Sequence, residues 1–528
     1  MLAGCAKAPS VDPNVDALIR ASMALRGIRP SVAELESVHA TPDAAPAIIA
    51  TWASGDDFGS MIRDLHSTDY LERSEEHELP AAGVLASVDP IAINRSVMEE
   101  PLKLIEWVVR TGQPYSAILT TGQMLADPTV ATVWGLDVPA GASHPLDDDW
   151  ALTTWGDGRP AAGVLVSSAL WFRHASNGQN YNRNRANALA SALVCNDFLE
   201  ADVPLDTVAF TDGRAVADAV RENPACTACH ADLDPIGAAL FAFVNTPPAS
   251  SIQAACDSAA SGAGAAFGGP GAIGEARYGC YPLASYDSRR TGDYVAAGDP
   301  APAWFGTPVS GLADLGATIA ADPRFPTCTA RRFLGWFTHR SYLEITDADV
   351  ADLAADFTAH DDDAARLAVQ AVWTPAFQNA GPLAIRPEEL SRLVFDLTGY
   401  RWLDGDVDLL GSDTEGWRLL AGGSDNYYVT TVPDDANATK ALVMARVAEQ
   451  AAMFVVESDL AAPVASRKLL TRPDDVDGQI ADLSLRILGE FDPDVPTARA
   501  LYTGAGGGAH GWEVLIAAML QDARVAWY

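Results

Sequence analysis

Residues 223 to 230 of this 528-residue chain read Asn223-Pro224-Ala225-Cys226-Thr227-Ala228-Cys229-His230. Two thiols three positions apart on a tight turn can each add to one vinyl group of a haem, which gives two thioether bonds. The histidine after the second cysteine then lies under the porphyrin and offers its Nε2 to the iron. Because Cys-x-x-Cys-His is the attachment signature of c-type haem, the sequence predicts one covalent haem c on Cys226 and Cys229, with His230 as an axial ligand of the iron.

Two other chemistries use paired cysteines at this spacing. A structural zinc site would need a second pair of ligands at comparable spacing, and no other Cys or His pair in the sequence supplies it. A redox dithiol or disulfide of the thioredoxin kind would follow a strand and open a helix in a βαβ unit, and the sequence has no such alternation. Haem is the favoured interpretation, and the dithiol and the metal site stay open.

The residues after the motif offer a pocket and a hydrogen-bond acceptor. Residues 233–237 (Leu-Asp-Pro-Ile-Gly) are predicted to form a turn. A backbone carbonyl of this turn, or the Asp234 carboxylate, could accept the Nδ1 proton of His230 and fix the tautomer of the ring. Capping of a helix explains Asp234 equally well. The apolar residues that could cover a face or edge of the porphyrin are Ala239, Leu240, Phe241, Phe243 and Val244.

A second axial ligand is predicted at His174 rather than at a methionine. Small c-type cytochromes usually take a methionine several dozen residues after the motif, but no methionine lies between residues 231 and 443. His174 follows the apolar stretch Ala169-Leu170-Trp171-Phe172, and a second imidazole would favour a low-spin, low-potential iron. A histidine that is hydrogen-bonded to the Asn/Arg-rich connection nearby is the alternative. Met124 and His339 are the next candidates for the ligand.

Most of the chain reads as helices separated by short turns, so the fold class is mainly α, with several small helical domains. Ser31 and Glu34 form a capping-box pair at the start of one helix. His39, His66 and His77 are expected on polar helix faces. Further helices are predicted at residues 15–27, 58–70, 102–110, 115–126, 387–399, 437–457, 474–489 and 510–522.

Changes of composition along the chain predict six segments. Residues 246–305 are rich in Gly, Ala, Ser and Pro and show no helical period, so we expect an irregular excursion there. The segments are a lipobox and linker (1–10), an N-terminal helical domain (11–150), a haem-motif domain (151–245), the excursion (246–305), a helical domain (306–380) and a C-terminal helical domain (381–528).

The other five cysteines are assigned by position. Cys256 and Cys280 bracket much of the excursion and are predicted to form a disulfide that staples it, by closing a loop of about 25 residues. The tetrapeptide Leu2-Ala3-Gly4-Cys5 has the small-residue pattern that precedes a lipidated cysteine in bacterial lipoproteins, so Cys5 is the predicted lipid site and a longer upstream reading frame should encode the signal. A chance match in an Ala/Gly-rich chain is the alternative. Once Cys5, the two motif cysteines and the Cys256–Cys280 pair are assigned, Cys195 and Cys328 remain, and they are predicted to bond to each other.

The net charge of the chain limits the kinds of molecule that it can bind. The chain has 35 basic and 70 acidic residues, a net charge of −35 with neutral histidines. Such a charge repels nucleic acid phosphates and anionic lipid head groups. We therefore expect no nucleic acid partner, and contact with a membrane only through a lipid on Cys5.

Three stretches resemble a family of large cytochrome-c-like proteins of unknown function from planctomycetes and myxobacteria. His339, where the family often has glycine, and the segment between Cys256 and Cys280 depart from the family pattern. The resemblance implies a secreted protein with a haem motif, links His174 to that motif, and names no reaction. The matching residues are Gly163-Val164-Leu165, His174, the motif with residues 233–240, Phe305-Gly306 through Pro323-Arg324-Phe325 to Cys328, Thr374-Pro375-Ala376-Phe377, and residues 15–72 with Ile28-Arg29-Pro30.

The leading hypothesis is an exported c-type cytochrome-like protein of the periplasm or cell surface, anchored through Cys5, that transfers single electrons to an unknown redox partner. Covalent attachment of haem outside the bacterial cytoplasm agrees with the lipobox. One alternative is a structural or carbohydrate-associated envelope protein in which the haem is secondary. Another is a haem peroxidase-like enzyme, which needs an open sixth position on the iron. Whether the protein is an enzyme stays open.

Overall fold

The computed structural model describes residues 12–77, 79–146, 148–176, 182–200, 219–220, 222–243, 252–254, 256–257, 281–283, 285–292, 300–413, 415–432 and 437–528. Helices dominate these residues, which confirms the prediction of a mainly α fold. The helices used below are α1 (Pro13–Arg26), α2 (Val32–Ala40), α3 (Ala45–Trp52), α4 (Asp56–Tyr70), α5 (Pro90–Arg110), α6 (Pro128–Trp134), α7 (Ser168–Arg173), α8 (Arg183–Val194), α9 (Pro224–Ala239), α10 (Leu312–Ala320), α11 (Arg324–Thr338), α12 (Asp347–Ala359), α13 (Ala364–Ala371), α14 (Pro375–Gln378), α15 (Pro387–Thr398), α16 (Trp417–Leu420), α17 (Ala438–Ala461), α18 (Val476–Leu483), α19 (Val495–Gly504), α20 (Gly508–Leu520) and α21 (Ala523–Ala526).

Strands are short in the described part of the chain. They form three antiparallel pairs, β1 (Met124–Ala126) with β2 (Ala151–Thr153), β3 (Ala303–Trp304) with β4 (Thr307–Pro308), and β5 (Leu403–Asp404) with β6 (Val407–Asp408). In the first pair Leu125 lies opposite Leu152. None of these pairs is large enough to form a sheet layer, so packing between helices provides the core.

Local signals explain several helix ends. The capping box predicted for α2 is confirmed, because the Glu34 N–H donates to Ser31 Oγ at 3.3 Å and the Ser31 N–H donates to Glu34 Oε2 at 2.7 Å. Helix α1 ends at Gly27, whose φ of +67° is a left-handed conformation that glycine adopts without steric cost. These ends depend on neighbours in sequence, which is why the sequence predicts them.

The predicted helix at residues 115–126 is wrong. Only a 3₁₀ turn forms there, at Tyr115–Leu119, and the chain then extends into β1. Apolar residues in this stretch suggested a helical period, but the extended chain pairs with β2, which lies 25 or more residues further along. Pairing with a distant segment has overridden the local pattern.

The described residues fall into two compact units. The first unit comprises those in Met1–Asp64, Trp336–Arg340 and Ala368–Tyr528, and the second comprises those in Leu65–Gly335 and Ser341–Leu367. Each unit draws on several of the six predicted segments, whose boundaries stay predictions. In the first unit, α17 packs along α20, and both helices bury an apolar face.

Aromatic rings fill the core of the second unit. The Tyr115 ring is stacked on Phe325, with ring centroids 5.8 Å apart, and meets Phe333 edge-on at 6.3 Å. His66 is 1% exposed, and its Nε2 is hydrogen-bonded to Tyr115 Oη at 2.6 Å. The expectation of a polar-face position for His66 is therefore wrong. A buried phenol supplies the polar partner that water would otherwise provide.

Candidate functional site

The Cys-x-x-Cys-His motif lies in the first two turns of α9. The Asn223 side chain caps this helix by accepting the Ala225 N–H at 3.0 Å, and Pro224 occupies the first helical position, where its missing N–H costs nothing. The helix therefore begins just before the first cysteine. The tight turn expected for the two cysteines is thus part of a regular helix instead.

The helix brings the three motif side chains to one face. Cys226, Cys229 and His230 occupy positions i, i+3 and i+4, which are neighbours on a helical surface. All three are half-buried, and both cysteines are free thiols. The arrangement presents two thiols and one imidazole side by side to a ligand that approaches from the surface.

A carboxylate one turn further along holds the imidazole. His230 Nδ1 lies 3.0 Å from Asp234 Oδ1. An ionised carboxylate only accepts hydrogen bonds, so the Nδ1 atom carries the proton and donates it. Of the acceptors considered from sequence, the side chain of Asp234 is the one in place. In the neutral ring the second nitrogen, Nε2, is then the one without a proton, and this is the form that can coordinate a metal.

The predicted turn at residues 233–237 is wrong, because α9 continues through Pro235 to Ala239. Proline lacks an N–H, so the helix loses one hydrogen bond, to the carbonyl of Ala231. Ala231 is exposed, and water can satisfy its carbonyl. Residues 233–239 are all buried, so packing of the second half of the helix offsets the loss.

Arg183 completes a row of three groups with His230 and Asp234. Its Nε donates to Asp234 Oδ1 at 2.7 Å and its Nη2 to Oδ2 at 3.0 Å, a two-point contact. Burial raises the pKa of Asp234, but the hydrogen bonds from His230 and Arg183 outweigh it, and the net effect lowers that pKa below its usual value. The carboxylate is therefore held in its charged form.

Residues 182 to 185 attach the start of α8 to α9, to the chain just beyond α9 and to α7. Asn182 Nδ2 donates to the Gly237 carbonyl at 3.1 Å. Arg185, which is fully buried, donates to the carbonyls of Phe243 at 3.2 Å and Trp171 at 3.1 Å, and to Asn182 Oδ1 at 3.1 Å. We name residues Asn182–Arg185 the clamp. Sequence reasoning missed its role, and the only signal was the Asn/Arg-rich run itself.

The apolar residues after the motif do not form an open cover. Ala239, Leu240 and Phe243 are at most 3% exposed, and the Phe243 ring packs on Trp171 with centroids 5.7 Å apart. Phe241 is half-buried, and Val244 lies outside the described residues. Most of this predicted pocket is already filled by the protein's own core.

His174 is engaged in the core of the second unit. It is 4% exposed, its Nε2 lies 2.8 Å from the Tyr70 carbonyl, and its own carbonyl accepts Arg185 Nε at 2.8 Å. Iron coordination through this Nε2 would require the first of these bonds to break, so a second axial role for His174 stays a prediction. Met124 is buried in β1, and His339 lies one residue beyond α11.

The cysteines outside the motif are partly accounted for. Cys195, at the end of α8, and Cys328, in α11, form a disulfide with Cα atoms 5.4 Å apart, which confirms that pairing. Cys256 is also disulfide-bonded. Its predicted partner Cys280 lies outside the described residues, as does Cys5, so the staple and the lipid site stay predictions.

No group of three or more His, Cys, Asp or Glu side chains in the described part of the chain is arranged to hold a metal ion. No described helix combines the length and the apolar composition of a membrane span.

Comparison with protein-family models, with curated proteins and with solved structures found no match for the chain. The resemblance to cytochrome-c-like proteins thus stays an interpretation of the quoted motifs.

Proposed function

We propose that the chain is an exported c-type cytochrome-like protein that carries one covalent haem and transfers single electrons. The observation that carries the proposal is the arrangement of the three motif side chains. Cys226 and Cys229 are free thiols on the same helical face as His230, whose Nδ1 is engaged by Asp234. Two thiols and an imidazole Nε2 are the groups that covalent haem attachment needs.

Two free thiols also suit a reduced redox dithiol, but that role gives no task to the imidazole of His230. Cys195 and Cys328 are oxidised, whereas the two motif cysteines are not bonded to each other. A zinc site gains no support either, because the motif brings no further ligand group together among the described residues. These comparisons leave the haem hypothesis as the one that uses all three motif side chains.

Each side chain has a distinct task in this proposal. Cys226 and Cys229 form the thioethers, and His230 binds the iron through Nε2. Asp234 keeps the Nδ1 proton in place and so fixes the direction of the ring. The haem, when bound, supplies the change between ferric and ferrous iron. A net charge of −35 favours a redox partner with a basic surface.

A peroxidase-like enzyme is the second candidate, and the Asp234 contact is the observation that favours it. A carboxylate that accepts the Nδ1 proton increases the basicity of the coordinating imidazole. Haem peroxidases also use a proximal histidine, together with a sixth position that is open to substrate. The ferric spectrum with added cyanide separates the candidates, because a six-coordinate electron-transfer haem resists the ligand and an open haem binds it at once.

The deciding experiment is a pyridine haemochrome assay on protein made in a host with the c-type maturation machinery. We expect a c-type α-band that stays with the polypeptide in acidic butanone. The double variant Cys226→Ser/Cys229→Ser should lose all haem to the butanone. The matched control is Cys195→Ser/Cys328→Ser, which removes the same number of sulfur atoms and should keep the haem attached. Wild-type protein that carries no haem, or releases it all, would overturn the proposal.

A further inference from the structure

We propose that Arg183 is a positioning residue that acts through Asp234 on His230 and raises the reduction potential of the haem. The inference rests on the proposed function, because it concerns the electronic state of the same axial ligand. It assigns a role to a residue on α8, outside the motif and 43 or more positions before it in the sequence.

The contacts form a continuous row. The Arg183 guanidinium holds both oxygens of Asp234, at 2.7 and 3.0 Å, and Asp234 Oδ1 accepts from His230 Nδ1 at 3.0 Å. The side chain of Asp234 is only 11% exposed, and that of Arg183 is 26% exposed. Water therefore screens the pair only in part, and charge on one member is felt by the next.

Arg183 is held next to Asp234 by more than its own ion pair. Asn182, its neighbour in the clamp, donates to Gly237 in α9, and Arg185 donates to the Phe243 carbonyl just beyond that helix. The donors of these two bonds, Asn182 and Arg185, precede and follow Arg183 in the sequence, and both are buried. The guanidinium is thereby kept at a fixed distance from the carboxylate, which is what positioning requires.

The direction of the effect follows from the two charges. A carboxylate that draws the Nδ1 proton towards itself makes the imidazole more electron-rich, and an electron-rich ligand stabilises ferric over ferrous iron. The positively charged Arg183 guanidinium draws the electron density of the carboxylate away from His230, which opposes this effect. Without Arg183 the negative charge of Asp234 is uncompensated. The ferric form is then more stable relative to the ferrous form, and the reduction potential falls.

The test measures the midpoint potential of the holoprotein by spectroelectrochemical titration at one fixed pH. We expect Arg183→Gln to lower the midpoint potential and Arg183→Lys, which keeps the charge but not the two-point contact, to lower it less. The matched control is Arg289→Gln, because Arg289 also forms a two-point contact with an aspartate, Asp287, outside the row of Arg183, Asp234 and His230. Its potential should equal that of the wild type.

Outcomes separate this inference from the proposed function. A haem-loaded Arg183→Gln protein that unfolds at lower temperature but keeps the wild-type potential would show a merely structural role and overturn the inference, while the haem proposal would stand. If Arg183→Gln fails to fold, an Arg183→Lys potential equal to that of the wild type would overturn it instead. Wild-type protein without haem would overturn both.

Discussion

Two carboxylates in the second unit, Asp234 and Glu100, are both buried, yet their pKa values are shifted in opposite directions. Asp234 is 8% exposed and has two cationic or N–H donors, Arg183 and His230, and its pKa is lowered. Glu100, in α5, is 1% exposed, and the Ser167 hydroxyl donates to it at 2.7 Å. Burial raises the pKa of Glu100 to about 7, against the effects of Ser167, Arg159 and the Ala169 N–H.

The difference shows what burial alone does to an acid in this fold. Desolvation favours the neutral form, and only strong donors reverse it. The site around α9 supplies such donors, so Asp234 is an anion and can hold the His230 proton. The region around Glu100 supplies the Ser167 hydroxyl and the Ala169 N–H, which do not offset its burial, so that residue keeps its proton up to about neutral pH. Three experiments test this contrast.

The largest effect is expected from Arg185→Ala, which removes the buried centre of the clamp. Four hydrogen bonds to oxygen atoms are lost, and each buried acceptor left without a donor costs free energy. We expect a loss of about 4 kcal/mol in the free energy of unfolding, measured by urea denaturation. Burial lowers the pKa of Arg185 to about 9, so it is still charged at pH 7.

Arg185→Lys is the matched variant. A lysine keeps the charge but cannot reach several acceptors that diverge around a planar guanidinium, so most of the loss should remain. Recovery of wild-type stability by lysine would contradict the view that the geometry of the clamp, rather than its charge, holds α9.

The second experiment follows stability with pH for Glu100→Gln. Below the unfolded pKa of 4.5 the glutamate is neutral in both states, and between 4.5 and about 7 it ionises only when unfolded, which destabilises the fold. The stability of the variant relative to the wild type should therefore rise by about 3 kcal/mol from pH 4.5 to above pH 7. Urea titrations at several pH values measure this difference.

Burial also raises the pKa of Glu72, and the charge of Glu100 adds to that rise, so the measured difference includes the effect of Glu100 on Glu72. Glu36→Gln, on the exposed face of α2, is the control for the removal of one surface carboxylate. A constant difference for Glu100→Gln would show that Glu100 ionises alike in both states.

The smallest effect is expected from Asp234→Asn. The amide keeps an oxygen for His230 but loses the charge that faces Arg183, at a cost of about 1 to 2 kcal/mol at pH 7. Since the folded pKa of Asp234 is lowered, its contribution is present above the unfolded pKa and is lost as the pH falls through the folded value. The difference should therefore shrink in acid, opposite in sign to the trend at Glu100.

A structural feature of this molecule can be predicted from the sequence when the residues that cause it lie close together in the chain. The capping box at Ser31 and the choice of Asp234 as one possible acceptor for His230 involve residues within four positions of each other. The Cys195–Cys328 bridge is predicted by counting alone. These features need no knowledge of distant parts of the chain.

The failures involve distant neighbours. Pro235 indicates a turn by local rules, but the buried second half of α9 keeps the residue in a helix. His66 is buried because Tyr115, 49 residues later, accommodates its ring. Arg183 reads as part of a polar connection, and only the packing of α8 against α9 gives it the Asp234 carboxylate as an acceptor. One sequence does not reveal these partners.

The Cys195–Cys328 disulfide has a consequence for the topology of the chain. It closes a covalent ring, because its ends are 133 positions apart and the backbone between them includes the whole of α9. A protease that cuts once anywhere inside this ring breaks the backbone without separating the pieces. The nicked protein would migrate as one band on a non-reducing gel and as two after reduction. The motif thus belongs to a loop that stays linked to both ends of the protein after a single cut.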